Sequence, residues 1–201
     1  MSIGKVVRHF EAIGKVPVDI NDVLALVREI CPDEKIRVRG VDIDPGRLKG
    51  NCYRYKIPPQ TGSSLMPVQC SLIVYSTRMS TFEQRLVCCK ELVHIVNPDP
   101  IVTRTSAEVV HLAERVTKKI ILKPGQTTSN DIQVFLDHLA VWHAVAILVP
   151  FGIREELLAA KSIDQINLDA VAEALEIPRD YVKTALGPSW ALMRETILAY
   201  N

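Results

Sequence analysis

The sequence predicts an α+β fold, because strand patterns come first and helix patterns fill the rest of the chain. Segments 37–43 and 52–57 alternate apolar with polar residues, as half-buried strands do. Segment 69–76 is a short β-rich run suited to a more buried strand. After residue 80 the apolar residues recur at helical spacing. Strands followed by helices are typical of α+β domains, and we expect a small, mostly antiparallel sheet with a helical C-terminal part.

Helices are also predicted before the strands. Segment 1–10 is typical of the start of a helix. It has neither the apolar core nor the cleavage site of a signal peptide, so export is not expected. Segment 20–30 has apolar residues at helical spacing, with Asn21 or Asp22 as its N-cap, and it ends before Pro32. We therefore expect an amphipathic helix ahead of the sheet, and a polar loop at 58–64 between the second and third strands.

Capping signals mark the later helices. Ser80 and Glu83 have the spacing of a capping box, so a helix is expected over about 81–96, before Pro98. The same pattern at Thr105 and Glu108 predicts a helix that reaches about Lys119. Beyond a polar loop, the pattern predicts helices over about 131–149, 168–175 and 179–186.

Composition limits the class of protein. With 201 residues, 48% of them hydrophobic, the chain is expected to form a single domain over residues 1–201. A net charge of +1 does not attract nucleic acid, so such binding would need a local patch. Five cysteines without a CxxC pair are typical of a reducing compartment, which predicts a cytoplasmic protein. The longest apolar run, 139–153, is shorter than the ~20 residues of a membrane span, so no membrane partner is expected.

Three residues in segment 82–96 carry the functional signal. Lys90 and His94 are four residues apart, hence one turn apart on one helix face, and Glu91 lies between them. This is the geometry of the HExxH motif, in which two histidines at i and i+4 hold zinc and the glutamate activates the bound water. Here Lys90 stands at the position of the first histidine.

The helix predicted at 131–149 has a matching pattern. It carries Asp137, then alanines three and seven residues later, at 140 and 144, then Leu148 and the terminal Pro150. With the KExxH helix, this spacing resembles the ImmA/IrrE-type metallopeptidase domain, whose third-ligand helix has a glutamate at the position of Asp137. The resemblance is clearest over residues 68–190. Small alanines would let this helix lie close to the motif helix, so that a carboxylate could meet His94.

The resemblance implies a zincin-like helical core and a set of roles. Glu91 would be the general base if the protein is active, and His94 and Asp137 would be metal ligands if a metal is bound. Zinc is the cofactor if the site is retained, and otherwise none is expected. Members of the family cut or bind repressors, so the implied partner is a regulatory protein such as a repressor. The segment at about 97–130 is longer than is usual in the family.

Lys90 changes what this site can do. A lysine binds metal only after losing its proton, against a reference pKa of about 10.4. A protonated Lys90 would instead place its ammonium where the metal would be, facing Asp137 and Glu91. This favours a catalytically impaired, pseudoenzyme-like protein over an active zinc peptidase.

Other interpretations remain open from the sequence. An active zinc endopeptidase with an atypical site is one, and a DNA-binding regulator that uses the 168–186 helical hairpin is another. The hairpin offers only Arg179 and Lys183 as strong contacts to nucleic acid, so a structural role is favoured and nucleic acid is a disfavoured partner. His94 is equally consistent with a core histidine. Structural roles are favoured for His111, His138, His143, Cys88 and Cys89. Trp142 and Trp190 are expected to be core or partner contacts.

Overall fold

The α+β class is confirmed by a computed structural model, which describes residues 3–58, 66–97, 129–160 and 165–199. The side chains of residues 129–135 are outside this description. The helix predicted between Thr105 and Lys119 also lies outside the described residues, as does His111.

The described residues form a three-stranded sheet and eight helices. The strands are β1 (Glu34–Val41), β2 (Gly50–Ile57) and β3 (Val68–Ser76). The helices are α1 (Ile3–Ile13), α2 (Ile20–Ile30), α3 (Thr81–Val96), α4 (Ser129–Leu148), α5 (Phe151–Ala160), α6 (Leu168–Leu175), α7 (Arg179–Ala185) and α8 (Trp190–Ala199).

The sheet is mixed, in the order β1-β3-β2, where a mostly antiparallel sheet was expected. β2 and β3 pair antiparallel, whereas β1 pairs parallel with the other side of β3. The connection between β1 and β2 therefore passes the end of β3. Ser76 and Thr77 hold it there, because Ser76 donates its backbone N–H to Lys49 and Thr77 donates its own to Val41.

The two faces of the sheet differ in what they meet. On the inner face, Ile36 and Ile73 are buried in the core. Arg54 and Glu34 form a nearly buried ion pair on the same face, with two hydrogen bonds from the guanidinium to the carboxylate, and the hydroxyl of Ser71 donates to Glu34 as well. The charges of Arg54 and Glu34 therefore neutralise each other on the face of the sheet that packs against the helices.

α3 is the central helix of the structure. The expected capping box is present, since Ser80 Oγ accepts from the Glu83 backbone and the Glu83 carboxylate accepts from the Ser80 backbone. α3 lies against β2 and β3 on one side and against α4 on another. Nine of its 16 residues are buried, so this helix is enclosed on most sides and its polar residues must find partners within the protein.

Small residues bring α3 and α4 close together. Ala140 and Ala144 are 3% and 0% exposed, and Cys89 Sγ of α3 lies 3.9 Å from the carbonyl oxygen of Ala144. This is the close approach that the alanine spacing predicted. It places Asp137, one turn before Ala140, beside the polar stripe of α3.

Two arginines tie the C-terminal helices to the rest. Arg85 of α3 donates to the carbonyl oxygens of Glu176 and Val18, and its guanidinium pairs with the Glu176 carboxylate. The buried Arg154 of α5 donates to the carbonyl oxygens of Ala185 and Gly187 at the end of α7. The bonds to Glu176, Ala185 and Gly187 satisfy carbonyls at or just after the C-terminal ends of α6 and α7, where intrahelical partners are lacking.

No single described helix has the length and apolar composition needed to cross a membrane. The segments Leu136–Leu148 and Phe151–Ala160, bent by 68° between them, reach that length and composition only when they are taken together.

Gly50 allows the sheet to approach α3 closely. A Cβ atom on Gly50 would lie 2.3 Å from Cγ1 of Val87 and 3.2 Å from the carbonyl oxygen of Val74. We therefore expect Gly50→Ala to lower the free energy of unfolding by about 1–3 kcal/mol, the usual cost of overpacking. Urea denaturation of the purified protein measures it.

The matched control is Gly152→Ala, in α5, where an added Cβ meets nothing within 4 Å. There the free energy of unfolding should rise by about 0.5–1 kcal/mol, because alanine is the better helix former. Equal effects of the two substitutions would contradict the close approach at Gly50.

Candidate functional site

The polar stripe of α3 and the middle of α4 form one side-chain cluster. Its members are Lys90, Glu91, His94 and Asp137, which we call the KEHD cluster. Helical spacing places the first three on neighbouring faces of α3, and the packing of α4 supplies the fourth. All four residues selected from the sequence are therefore brought together.

Lys90 lies between the two carboxylates. Its Nζ donates to Asp137 Oδ1 at 2.6 Å and lies 2.9 Å from Glu91 Oε1. The side chain of Lys90 is only 13% exposed, so the ammonium is largely removed from water. The contact of Lys90 with a carboxylate, expected from the sequence, is present.

His94 completes the cluster from the next turn of α3. Its Nε2 lies 3.5 Å from Asp137 Oδ1, the same oxygen that accepts from Lys90. The imidazole is 20% exposed and Asp137 21% exposed, so this side of the cluster is nearest to solvent. Asp137 thus receives positive or polar groups from two turns of α3, which fixes α4 relative to α3.

The charges of the cluster support one another. Burial by itself would lower the pKa of Lys90, but the negative charges of Glu91 and Asp137 outweigh it and hold that pKa above its ordinary value. Burial would raise the pKa of Asp137, yet the Lys90 charge and a hydrogen bond from His94 hold it well below its usual range. Lys90 is therefore an ammonium and Asp137 a carboxylate at neutral pH.

Glu91 is the most enclosed member. It is 2% exposed, and its Oε1 accepts no hydrogen bond from the described residues, although it lies 2.9 Å from Lys90 Nζ in an ion pair. Gly50 borders it on the sheet side, since a Cβ there would lie 3.5 Å from Glu91 Oε1. A buried carboxylate held in this way depends strongly on the neighbouring ammonium.

The cluster does not fit zinc. A catalytic zinc site needs three protein ligands and an open position for water. Here the Lys90 ammonium contacts both carboxylates, and it brings its own positive charge to the place where a cation would bind. Among the described residues, no group of three or more His, Cys, Asp or Glu side chains is arranged to hold a metal ion.

Other candidate residues lie elsewhere or lack the required chemistry. Burial, with a further contribution from Glu91, raises the pKa of the Cys88 thiol to about 12, and burial raises that of Cys89 still further. Both are therefore thiols at neutral pH, which agrees with packing roles. His143 is 3% exposed within α4, and His138 of the same helix is exposed.

The C-terminal hairpin has few free cations to offer. In α6 and α7, the Arg179 guanidinium pairs with Asp169 at 3.0 Å, while Val182 and Ala185 face the core. This pairing leaves Lys183 as the remaining cation of α7. The arrangement favours the structural interpretation of the hairpin over groove recognition.

Sequence reasoning missed the contribution of the sheet to this site. Gly50 begins β2 and pairs with Tyr75, and this register places it against Val87 and Glu91. Nothing near Gly50 in the sequence points to α3. Only the strand register, which depends on distant residues, could have indicated it.

Comparisons of the chain with protein-family models, with curated proteins and with solved structures found no match. The roles of Glu91 as general base and of His94 and Asp137 as metal ligands stay predictions from the resemblance.

Lys90→Met tests how far the cluster depends on the ammonium. Methionine keeps most of the side-chain volume but leaves the buried Glu91 and Asp137 carboxylates without a cation. We expect the free energy of unfolding at pH 7 to fall by about 3 kcal/mol, the low end for a broken buried pair because Asp137 is partly exposed. Urea denaturation gives the value.

Asp137→Asn and the double variant complete a mutant cycle with Lys90→Met. The double variant should be less destabilised than the sum of the single ones, because the two side chains interact directly. Strict additivity would show that the 2.6 Å contact contributes no coupling.

The same cluster predicts a pH window for stability. The lowered pKa of Asp137 adds stability above its unfolded value of about 3.9, and this is lost as pH falls further. The raised pKa of Lys90 adds stability below its unfolded value of about 10.4, and this is lost as pH rises further. The stability difference between wild type and Lys90→Met should therefore shrink as pH falls below about 4 and as pH rises above about 10. A difference that stays unchanged at these two extremes would argue against this assignment.

Proposed function

We propose that this chain is a catalytically impaired relative of the ImmA/IrrE-type metallopeptidases that acts by binding a regulatory protein, such as a repressor. The observation that carries the proposal is the position of Lys90 Nζ, 2.6 Å from Asp137 and 2.9 Å from Glu91. In the motif that the sequence resembles, a divalent cation would be held by the residues at the positions of Lys90, His94 and Asp137, with Glu91 beside its bound water. An ammonium replaces that divalent cation here.

The replacement accounts for the loss of hydrolysis. A zinc ion lowers the pKa of its bound water and polarises the carbonyl of the substrate. An ammonium without an open coordination position does neither, and it neutralises Glu91, the residue that would accept the water proton. The cluster keeps its structural role, since it still joins α3 to α4.

Binding without cleavage is the function that fits such a site. The partner class comes from the resemblance alone, since the family acts on repressors and similar regulators. A fold that an internal ion pair stabilises can still bind a partner protein, and without an activated water molecule it does not cleave that partner. The alternatives are an active zinc endopeptidase with an atypical site and DNA binding through α6 and α7.

The first test replaces the ammonium. We expect the wild-type protein to show no zinc-dependent cleavage of peptides, and Lys90→His to gain zinc binding in calorimetric titration. The introduced imidazole, His94 and Asp137 then give three ligands, enough for a zinc site with an open position. Catalysis should recover less than binding, because Asp137 is one methylene shorter than glutamate and a misplacement of about 1 Å can cost roughly a hundredfold in rate.

Lys56→His is the matched control, because Lys56 is an exposed residue of β2 away from the cluster. It should bind zinc no better than wild type. Tight zinc binding by the wild-type protein together with cleavage that a chelator abolishes would overturn the proposal. If Lys90→His fails to bind zinc, the four side chains of the KEHD cluster do not have the geometry of a metallopeptidase site.

The second test concerns the partner. The tagged protein and Lys90→His are expressed in the source cells, and bound proteins are identified by mass spectrometry. We expect both to recover the same regulatory protein at its full length. A partner recovered with wild type only as cleaved fragments would show that the site is active.

A further inference from the structure

The outer face of the sheet, opposite α3, gathers cations and aromatic rings. Strand alternation places Lys35, Arg37 and Arg39 of β1 on this face, and Tyr53 and Tyr55 of β2 on the same face at the other edge. Register aligns them in rows across β3, so that Arg37 and Tyr53 both lie beside Leu72. The central strand between cations and rings is apolar at that row.

The three cations are exposed and unneutralised. Within the part of the chain that the structure describes, Lys35, Arg37 and Arg39 form no ion pair or side-chain hydrogen bond. None of the strand residues that share their face is acidic. The inner face differs, since there Arg54 is paired with Glu34. The outer face therefore presents a local positive charge of three that the net charge of +1 does not reveal.

The rings give this face a second property. Tyr55 is 44% exposed and Tyr53 partly exposed, and they are two residues apart, about 6.7 Å along the strand. β1 lies two strand spacings away, about 9.6 Å. A flexible chain with an anionic backbone and flat side groups could thus meet the cations with its backbone while its side groups stack on the rings.

We propose that this face binds single-stranded nucleic acid, with Lys35, Arg37 and Arg39 contacting phosphates and Tyr53 and Tyr55 stacking on bases. Single strands expose both backbone charge and base faces, and aromatic rings on a sheet are an established way to bind them. A duplex keeps its bases stacked within itself, so it would use the cations alone. An acidic peptide would also use the cations and would have no need of both rings.

The test is fluorescence anisotropy with fluorescein-labelled dT and U oligonucleotides of 12 residues, titrated with the purified protein at several salt concentrations. Arg37→Ala/Arg39→Ala should weaken binding at least tenfold at low salt. It should also reduce the slope of log affinity against log salt by about 1.4, because two phosphate contacts are lost. Lys5→Ala/Lys15→Ala, which removes two exposed cations outside the sheet, is the charge-matched control and should change affinity less than about threefold.

Tyr53→Leu/Tyr55→Leu separates stacking from charge. It should weaken binding about tenfold or more without changing the salt slope, since stacking contributes at each base. Denaturation curves of each variant check that the fold persists. Equal losses in the Arg37/Arg39 and Lys5/Lys15 variants would overturn the proposal, because binding would then follow total charge. Competition by polyglutamate as effective as by oligonucleotide, with the tyrosine variant unaffected, would overturn it in favour of an acidic peptide.

Discussion

One ammonium between two carboxylates joins the central helix α3 to α4 in the interior of this protein. Lys90, Glu91 and Asp137 are each costly to bury, and each becomes acceptable only because the others are there. Since Asp137 comes from α4 and the other two from α3, their mutual satisfaction fixes the two helices at one distance and one rotation. The sheet then has to approach α3 at Gly50, where Val87 leaves space only for a residue without a side chain.

Much of the helical structure was predictable, because its causes are local. The capping box at Ser80 and the apolar spacing after it predicted a helix over 81–96, and α3 has those bounds. The mixed sheet was not predictable in the same way. The pattern within a strand shows which residues alternate, but whether β1 runs parallel or antiparallel to β3 depends on the path of residues 42–49, for which no short-range rule exists. The helices α5 and α8, at 151–160 and 190–199, were not predicted, since neither begins with the capping-box pattern that marked α3.

The candidate site, like the fold, was predictable only where its causes are local. The positions of Lys90, Glu91 and His94 relative to one another follow from helical spacing, and Asp137 follows from the alanines that bring α4 close. Their chemistry needed the structure. The sequence predicted that Lys90 faces Asp137 and Glu91, but the near-complete burial of Glu91, and the lack of a hydrogen bond to its Oε1 from the described residues, follow from distances between elements. The pKa values of Lys90 and Asp137 move apart for the same reason.

An ammonium can stand in for a metal ion structurally because the two share their sign of charge, and it fails to do so chemically because they differ in valence and coordination. A lysine carries one charge on a flexible stem and offers three hydrogen-bond donors, so it can satisfy carboxylates over a range of geometries. Zinc requires a fixed set of ligands at about 2 Å and keeps a position open for water. A chain in which a lysine ammonium replaces the zinc ion retains the attraction between its helices and loses the activated water. Stability and hydrolysis, which a metal supplies together, are thereby separated: the ammonium provides the attraction between the helices and does not activate a water molecule.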